Sequence, residues 1–388
     1  MTHSGSRLPS RASVVVVGGG VIGTSVAFHL AEAGVPDVVL VERDQLGAGS
    51  TSKAAGGVRA QFSDTLNIQL GARGLRAFAE FGARPGQEID FRPVGYLFLL
   101  SRPEDVAAFE RNIELQNRLG VPSRLIDPDE ARRLSPPIDT DGLLAAAFSP
   151  DDGLATPEAV VQGYAAGARR HGAHIETACE LLDVRLRDEA IQAAVTSKGV
   201  VETPALVCAA GAWSRRVGAM VGVDLPVTPY RRQVLLTEAV PGLPEHLPMT
   251  IDFASSFYFH REGPGLLMGM SLDDEPPGFN LGRDDAWIPR LAEVIARRAP
   301  SLADVGVAGG WAGLYEVTPD HNALIGETPR PARMLYATGF SGHGFLQGPA
   351  VGEVVRDLYL GRQPPVDVAP LAVDRFQRAA DRPELNVV

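Results

Sequence analysis

Residues 13–43 constrain this chain more than any other stretch. An apolar β-branched run, Val14–Val17, turns through Gly18-Gly19-Gly20-Val21-Ile22-Gly23. Apolar positions at Val21, Val26, Ala27 and Leu30 follow with helical spacing, Gly34 and Pro36 punctuate them, and a second strand, Val38–Val41, ends at Glu42. Strand, GxGxxG, helix, strand and acid within about 30 residues is the layout of a dinucleotide-binding βαβ unit. Each residue type has a physical task. Gly18 permits the tight turn, Gly20 lets a pyrophosphate approach the backbone, and Gly23 lets the helix pack against the strand. The free N–H groups at the helix start then face the phosphate charge. Glu42 follows Gly23 by 19 residues, the spacing at which an acid accepts from an adenosine ribose hydroxyl. The motif alone does not separate one dinucleotide from another.

Length and composition narrow the class. A chain of 388 residues exceeds one small core, so two lobes are expected. An apolar fraction of 45% with 21% charged residues fits a soluble globular enzyme. The net charge of −11 comes without a basic run, which argues against nucleic acid or an anionic membrane as partner. No apolar stretch reaches the 18 or more residues of a membrane span. The polar residues 1–12 lack an apolar core and read as a loose tail, not a secretory signal. Two cysteines, Cys179 and Cys208, have no metal-ligand spacing and suit a reducing compartment. The expectation is a cytoplasmic protein without a metal.

Beyond the first unit, residues 47–59 (GAGSTSKAAGGVR) are small, polar and glycine-rich. They sit at the carboxyl end of the second strand, where α/β sheets bind ligands. Helices are predicted over 65–81, 103–119 and 157–171, and strands over 96–100, 175–177, 181–186 and 205–209. Pro and Asp cluster over 127–141, which suggests a loop-rich crossing between lobes. The strand over 205–209 runs into Gly211-Ala212-Trp213-Ser214, a second glycine turn opening a helix. Alternation over 234–237, 256–259 and 265–270 looks antiparallel, with a charged helix over 284–298. A third glycine turn, Gly339-Phe340-Ser341-Gly342-His343-Gly344-Phe345, opens an amphipathic helix through Leu360. No repeat or low-complexity tract appears. The expected division is a discontinuous nucleotide-binding domain over 13–85, 145–225 and 315–365, a substrate lobe over 86–144 and 226–314, and tails at 1–12 and 366–388.

Four segments together resemble one family, the D-amino-acid-oxidase-like flavoproteins, in its branch of sarcosine oxidase β-subunits and proline dehydrogenase β-like chains. They are the GxGxxG unit with Glu42, GSTSKAAGGVR, VCAAGAWS, and GLYEVTPDHNALIG followed by ATGFSGHGF. The resemblance spans residues 13–360. It implies an α/β fold of the FAD/NAD(P)-binding, glutathione-reductase type, with a second α+β lobe on an antiparallel sheet. It also implies FAD, and oxidation of a C–N bond to an imine. By motif matching, Gly18, Gly20, Val21, Ile22, Gly23, Glu42 and Arg43 hold the adenosine and pyrophosphate. Ser50, Ser52, Lys53, Ala55 and Gly56 line the pyrophosphate and ring, Leu181 offers backbone to the adenine, and Ala210, Gly211 and Trp213 form the middle turn. Gly313, Gly342, Gly344, Phe345, Leu346 and Gln347 face the flavin, with a helix start directed at its pyrimidine. Three departures stand out. The cysteine that attaches flavin in monomeric sarcosine oxidases is absent from Ala312-Gly313-Leu314, so noncovalent FAD is expected. The substrate-pairing lysine after the HGF triplet is Leu346, and the lysine linked to oxygen reactivity aligns with Leu267.

Substrate candidates come from chemistry. A carboxylate favours a guanidinium fork, and Arg59, just past the flavin loop, is the first choice before Arg232 and Arg261. Tyr258 and His260 alternate with Phe257 and Phe259, so that strand has an aromatic face that can cage an amine or simply fill a core. His343, in the flavin-facing turn, is a candidate for tuning the ring or accepting a proton, or for bracing the turn. His321 reads as structural, and no firm general base emerges. The leading reading is an FAD-dependent oxidoreductase acting on a small amine or amino acid, with O2 or another acceptor taking the electrons. A non-catalytic flavoprotein subunit of a larger complex is the alternative, and an NAD-dependent dehydrogenase requires the later glycine turns to be accidental. Homo- or hetero-oligomerisation is left open.

Overall fold

Four consecutive valines gain most from complete removal from water, and Val14–Val17 is buried along its whole length. The structure is a computed structural model that describes residues 8–378 and 383–386. In it this strand lies inside a six-stranded sheet ordered Leu324–Glu327, Met334–Thr338, Leu206–Cys208, Val14–Val17, Val38–Val41, His174–Glu176. Neighbours run parallel except at the edge strand Leu324–Glu327. The chain winds first to one side of Val14–Val17 and later returns to the other. A crevice therefore opens at the carboxyl ends of Val14–Val17 and Leu206–Cys208, the place where such sheets bind ligands.

Close backbone contact shapes that crevice. Gly18 adopts φ +109°, and a Cβ there would overlap the carbonyl of Ala209. A Cβ at Gly23 would overlap the carbonyl of Gly18, so only glycine lets the helix Val21–Glu32 start this near the strand. That helix is buried from Val21 to Ala31 between the helices Pro157–Arg170 and Gly344–Tyr359. At the second contact Gly348 faces Val21, and Gly352 faces Ser25 and His29. Gly74, on the helix Thr65–Ala79, meets the carbonyl of Leu346 in the same way.

The second lobe is built on an eight-stranded sheet ordered Val307–Val317, Thr228–Thr237, Gly265–Gly269, Phe257–Glu262, Met249–Asp252, Tyr96–Leu100, Ala145–Ser149, Arg124–Ile126. Its pairs are antiparallel, apart from Met249–Asp252 beside Tyr96–Leu100. The helix Ile288–Arg298 is pinned to it by the buried pair Arg298–Asp252, 3.1 Å apart. The expected α/β class with an antiparallel second lobe is the observed one. Among the described residues no helix is long and apolar enough to cross a membrane.

Several boundaries differ from expectation. Ala145–Ser149, assigned above to the nucleotide-binding domain, pairs with Tyr96–Leu100 and belongs to the second lobe. Its apolar run AAAFS marks burial but not which sheet buries it. Residues 127–141 are not a crossing between lobes. They contain the helix Pro128–Leu134, whose Asp127 cap accepts from the Glu130 N–H, and they join two strands of one sheet. The division at 315 cuts through the strand Val307–Val317, which carries the chain from the second lobe toward the central sheet. The segment from 366 is not a free tail. Leu371 is buried, Arg375 pairs with Asp320 at 2.8 Å, and Glu384 and Asn386 are buried. Of the expected amino-terminal tail, residues 1–7 lie outside the described residues, and Ala12 is already buried beside Glu202.

The substitution Gly23→Ala is expected to destabilise the fold by about 1–3 kcal/mol through overpacking of backbone on backbone. Urea denaturation reads this directly, and an unchanged midpoint would mean that the helix start can move away from Gly18.

Candidate active site

One continuous cavity follows the crevice and then enters the second lobe. At its first end lie Glu42, Arg43, Leu181, Arg216 and Met220. Glu42 is held by two backbone donors, the Gly19 N–H at 2.6 Å and the Asp44 N–H at 2.7 Å. Arg43 stacks on Trp213, its guanidinium carbon 4.4 Å from the ring centroid. The cavity then passes Gly18, Gly20, Val21 and Ile22, where the helix Val21–Glu32 starts with no side-chain cap of its own. Thr51, from the glycine-rich loop, receives the Val21 N–H at 3.1 Å. This loop lies across the helix start and presents Ser50, Lys53, Ala55 and Gly56 to the cavity. Ala210, Gly211, Trp213 and Gly313 line the middle, and Gly342, Gly344, Phe345 and Leu346 the far wall. There the helix Gly344–Tyr359 begins, also without a side-chain cap.

Three of the residues predicted for cofactor binding lie off the cavity. Gly23 acts through the close packing described above. Ser52 lies in the turn of the loop, its N–H bonded to the Gly47 carbonyl. Gln347 is buried and donates to the Asn67 side chain at 3.0 Å. Each belongs to a motif that touches the cavity, and its own side faces the protein.

The second-lobe end carries the polar chemistry. Arg59 is only 3% exposed, with its guanidinium 4.1 Å over Phe62 and 5.5 Å over Phe98. It donates to the Gln61 carbonyl, to the Asn386 carbonyl at 2.6 Å and to His343 Nε2 at 3.2 Å. Among the described residues it makes no ion pair. Arginine is never an acceptor, so Nε2 of His343 accepts and the neutral imidazole carries its proton on Nδ1. Burial, and next to it the charge of Arg59, hold His343 well below the usual histidine range. Arg232 also lines the cavity, 5.2 Å over the ring of Tyr315, and its Nη1 donates to the Arg231 carbonyl at 3.0 Å. Tyr96, Tyr258 and Tyr315 complete the walls with Val234, Met249 and Ile251. Burial raises all three tyrosines above the usual phenol range, so they remain protonated donors.

Two candidates move away from the chemistry. His260 shares a strand face with Tyr258 but lies beyond the cavity. Its Nδ1 pairs with the Arg261 carbonyl at 2.9 Å, and burial lowers it to about 4. Tyr258 reaches the cavity because its cross-strand neighbour is Gly269, which leaves space for the ring. Arg261 caps a turn by donating to the carbonyls of Gly263 and Pro244. The aromatic face of that strand is core, since Phe257 and Phe259 pack inside the second lobe. Leu267 is buried within the sheet, not in the cavity. Sequence reasoning passed over Tyr96, Ile251 and Tyr315, which lie on three different strands and share a face only through the pairing of the sheet. It also passed over Asp152. That carboxyl accepts from the Ala60 N–H at 2.9 Å and from Gln61 at 3.4 Å, bracing the turn beside Arg59. Burial pushes it up to about 7.

The site is a nucleotide crevice leading into a cationic, tyrosine-lined chamber in a second lobe. The family model described as DAO, FAD dependent oxidoreductase, matches residues 13–358, and the chain belongs to that family. It is 30% identical over 386 residues to mitochondrial dimethylglycine dehydrogenase of Mus musculus, covering 94% of this chain and 44% of the relative. It thus spans less than half the length of that protein. L-proline dehydrogenase from P. horikoshii superposes with a TM-score of 0.91 at 32% identity, over 97% of this chain and all of the other. Glycine oxidase from Geobacillus kaustophilus gives 0.84 at 26% identity, over 94% and 99%.

FAD is therefore the cofactor. The residues fit it: two helix starts open into one cavity lined by the backbone of Gly18, Gly20 and Gly342, and Glu42 lies at its end. When bound, FAD supplies a two-electron acceptor.

Asp152 makes the stability of this site depend on pH. An acid raised from 3.8 to about 7 on folding contributes its stabilisation fully below about 4 and loses it as pH rises through about 7. Glu316, raised to about 7 by burial, acts in the same direction. In Asp152→Asn the Asp152 share is removed, so the stability of the native chain relative to this variant should fall between pH 4 and pH 7. Melting both proteins across that range checks it, and a constant difference would place the Asp152 carboxyl near its ordinary value.

Proposed function

We propose that this chain oxidises the C–N bond of a small amino acid or secondary amine, N-methylated or cyclic, to an imine, and that Arg59 holds the substrate carboxylate. One observation carries the reading: a buried guanidinium with neutral partners lines the chamber at the flavin-facing turn. Burying a charge without a directly paired counter-charge is costly, since Glu384 and Asp152 act on Arg59 only at longer range, and a bound carboxylate relieves that cost with paired, charge-assisted hydrogen bonds. The substrates named for the relatives, dimethylglycine, L-proline and glycine, are all α-amino carboxylates, which supports the same reading.

Other groups then have consistent tasks. Arg232 adds a second positive charge to the chamber. The protonated hydroxyls of Tyr96, Tyr258 and Tyr315 orient the amine end by hydrogen bonding. His343, kept neutral, steers Arg59 and adds no charge. With Leu346 and Leu267 apolar, the electrons pass to O2 or to another acceptor that the family resemblance does not select. Two buried free thiols, Cys179 and Cys208, support a reducing, cytoplasmic setting. Assembly with identical or different subunits is compatible with this activity.

Anaerobic addition of sarcosine, dimethylglycine, proline and glycine to the yellow protein should bleach its visible spectrum with at least one of them. Recovery on admitting air would assign O2 as acceptor, and persistence would assign a partner acceptor. A flavin-loaded protein that none of them bleaches would overturn the reading in favour of a non-catalytic flavoprotein subunit. Arg59→Lys should raise KM for the amino acid by about 10²-fold with a smaller change in kcat, because one point charge replaces a fork.

A further inference from the structure

We propose that the segment 383–386, far outside the matched family region, completes the substrate site by holding Arg59 in the pose that receives a carboxylate. The inference rests on the reading of Arg59 given above. The family match ends at residue 358, and by sequence this segment is only part of a tail. In the fold Glu384 and Asn386 are each 1% exposed while Leu385, between them, is 61% exposed.

Glu384 anchors the segment. Its Oε1 accepts from the Ser63 N–H at 3.0 Å, the Ser63 hydroxyl at 2.7 Å and the Asn386 N–H at 2.9 Å. Its Oε2 accepts from Asn67 Nδ2 at 3.0 Å, and its own N–H donates to the Asp320 carbonyl at 3.1 Å. The Leu385 N–H returns to the Ser63 hydroxyl at 3.0 Å. These bonds tie residues 384–386 to the turn that follows Arg59. They leave the Asn386 carbonyl 2.6 Å from Arg59 Nη2.

The identity of the acceptors matters. A guanidinium has five donors in one plane. Two carbonyls and one imidazole nitrogen fix the orientation of that plane without neutralising its charge. A carboxylate in their place would cancel the charge and compete with substrate. Without Asn386, Nη2 retains only His343, and the long side chain regains rotational freedom that substrate binding must then remove. The segment is thus a positioning element: it touches Arg59, and Arg59 touches substrate.

Two variants test this, a chain stopped after Arg382 and Glu384→Gln, which keeps one side-chain oxygen and the backbone but removes the charge and turns the oxygen that Asn67 meets into a donor. If the shortened chain fails to fold, Glu384→Gln carries the test. Labelling of Arg59 by phenylglyoxal, read by peptide mass spectrometry, reports the contact without turnover. The expected result is several-fold greater labelling, KM for the amino acid raised about tenfold, and kcat, FAD content and visible spectrum unchanged. Unchanged labelling would overturn the proposal. Greater labelling with unchanged KM would also overturn it. If KM is likewise unchanged in Arg59→Lys, the fault lies with the carboxylate reading itself; if Arg59→Lys does raise KM, the fault lies with the segment.

Discussion

Backbone must touch backbone at the start of the first helix, and the rest of the nucleotide-binding body follows from that contact. With Gly23 against the carbonyl of Gly18, and Gly18 against the carbonyl of Ala209, the helix Val21–Glu32 sits directly over the crevice with its start facing in and its Val21 N–H on Thr51. The same small-residue logic brings up its neighbours. Gly348 and Gly352 let the helix Gly344–Tyr359 close on it, and Gly74 lets Thr65–Ala79 close on that helix in turn. Two helix starts, remote in sequence, are thereby aimed into one cavity. Their dipoles add a positive potential where a phosphate or an electron-rich ring is favoured.

The second lobe contributes charge of the same sign by a different route. Arg59 is buried against Phe62 and Phe98, and its hydrogen bonds go to neutral acceptors. Asp152, the acid that braces the adjoining turn, is itself raised toward neutrality by burial, so it compensates Arg59 only in part near pH 7. The site keeps an unmet demand for an anion, held in a fixed orientation. Under the proposed function, a small α-amino acid would satisfy it with its carboxylate and leave the amine end among tyrosine hydroxyls. Position and charge are set by separate parts of the chain: the central sheet places the cofactor crevice, and the antiparallel sheet places Tyr96, Tyr258, Tyr315 and Arg232 along the chamber.

Much of this was legible from local pattern. The unit from Val14 to Glu42 declares itself because strand, turn and helix periodicities all occur within one short stretch. The turns at Gly211 and Gly342 declare themselves for the same reason, and Glu42, Ala210, Gly342 and Phe345 line the cavity as their motifs imply. The run Ala145–Ser149 was readable as apolar but not as a member of the second sheet, because its pairing with Tyr96–Leu100 is a long-range event. Tyr258 and His260 have the same parity along one strand, yet only the residue opposite Gly269 has space to reach the cavity. Periodicity cannot see what stands across the sheet.

By itself, then, the sequence determined a dinucleotide-binding crevice, an α/β body and an antiparallel second lobe, while the choice of FAD came from the family resemblance. Those features rest on turn chemistry and apolar spacing, which act between residues near one another in the chain. Only the tertiary structure decided which charged and polar groups share the chamber. Arg59 meets His343 and Asn386 across 284 and 327 residues, and Asp152 braces a turn 92 residues before it. Burial then sets what each group is, lowering His343, raising Asp152 and leaving Arg59 charged, and burial is a property of the packed chain and not of any segment of it.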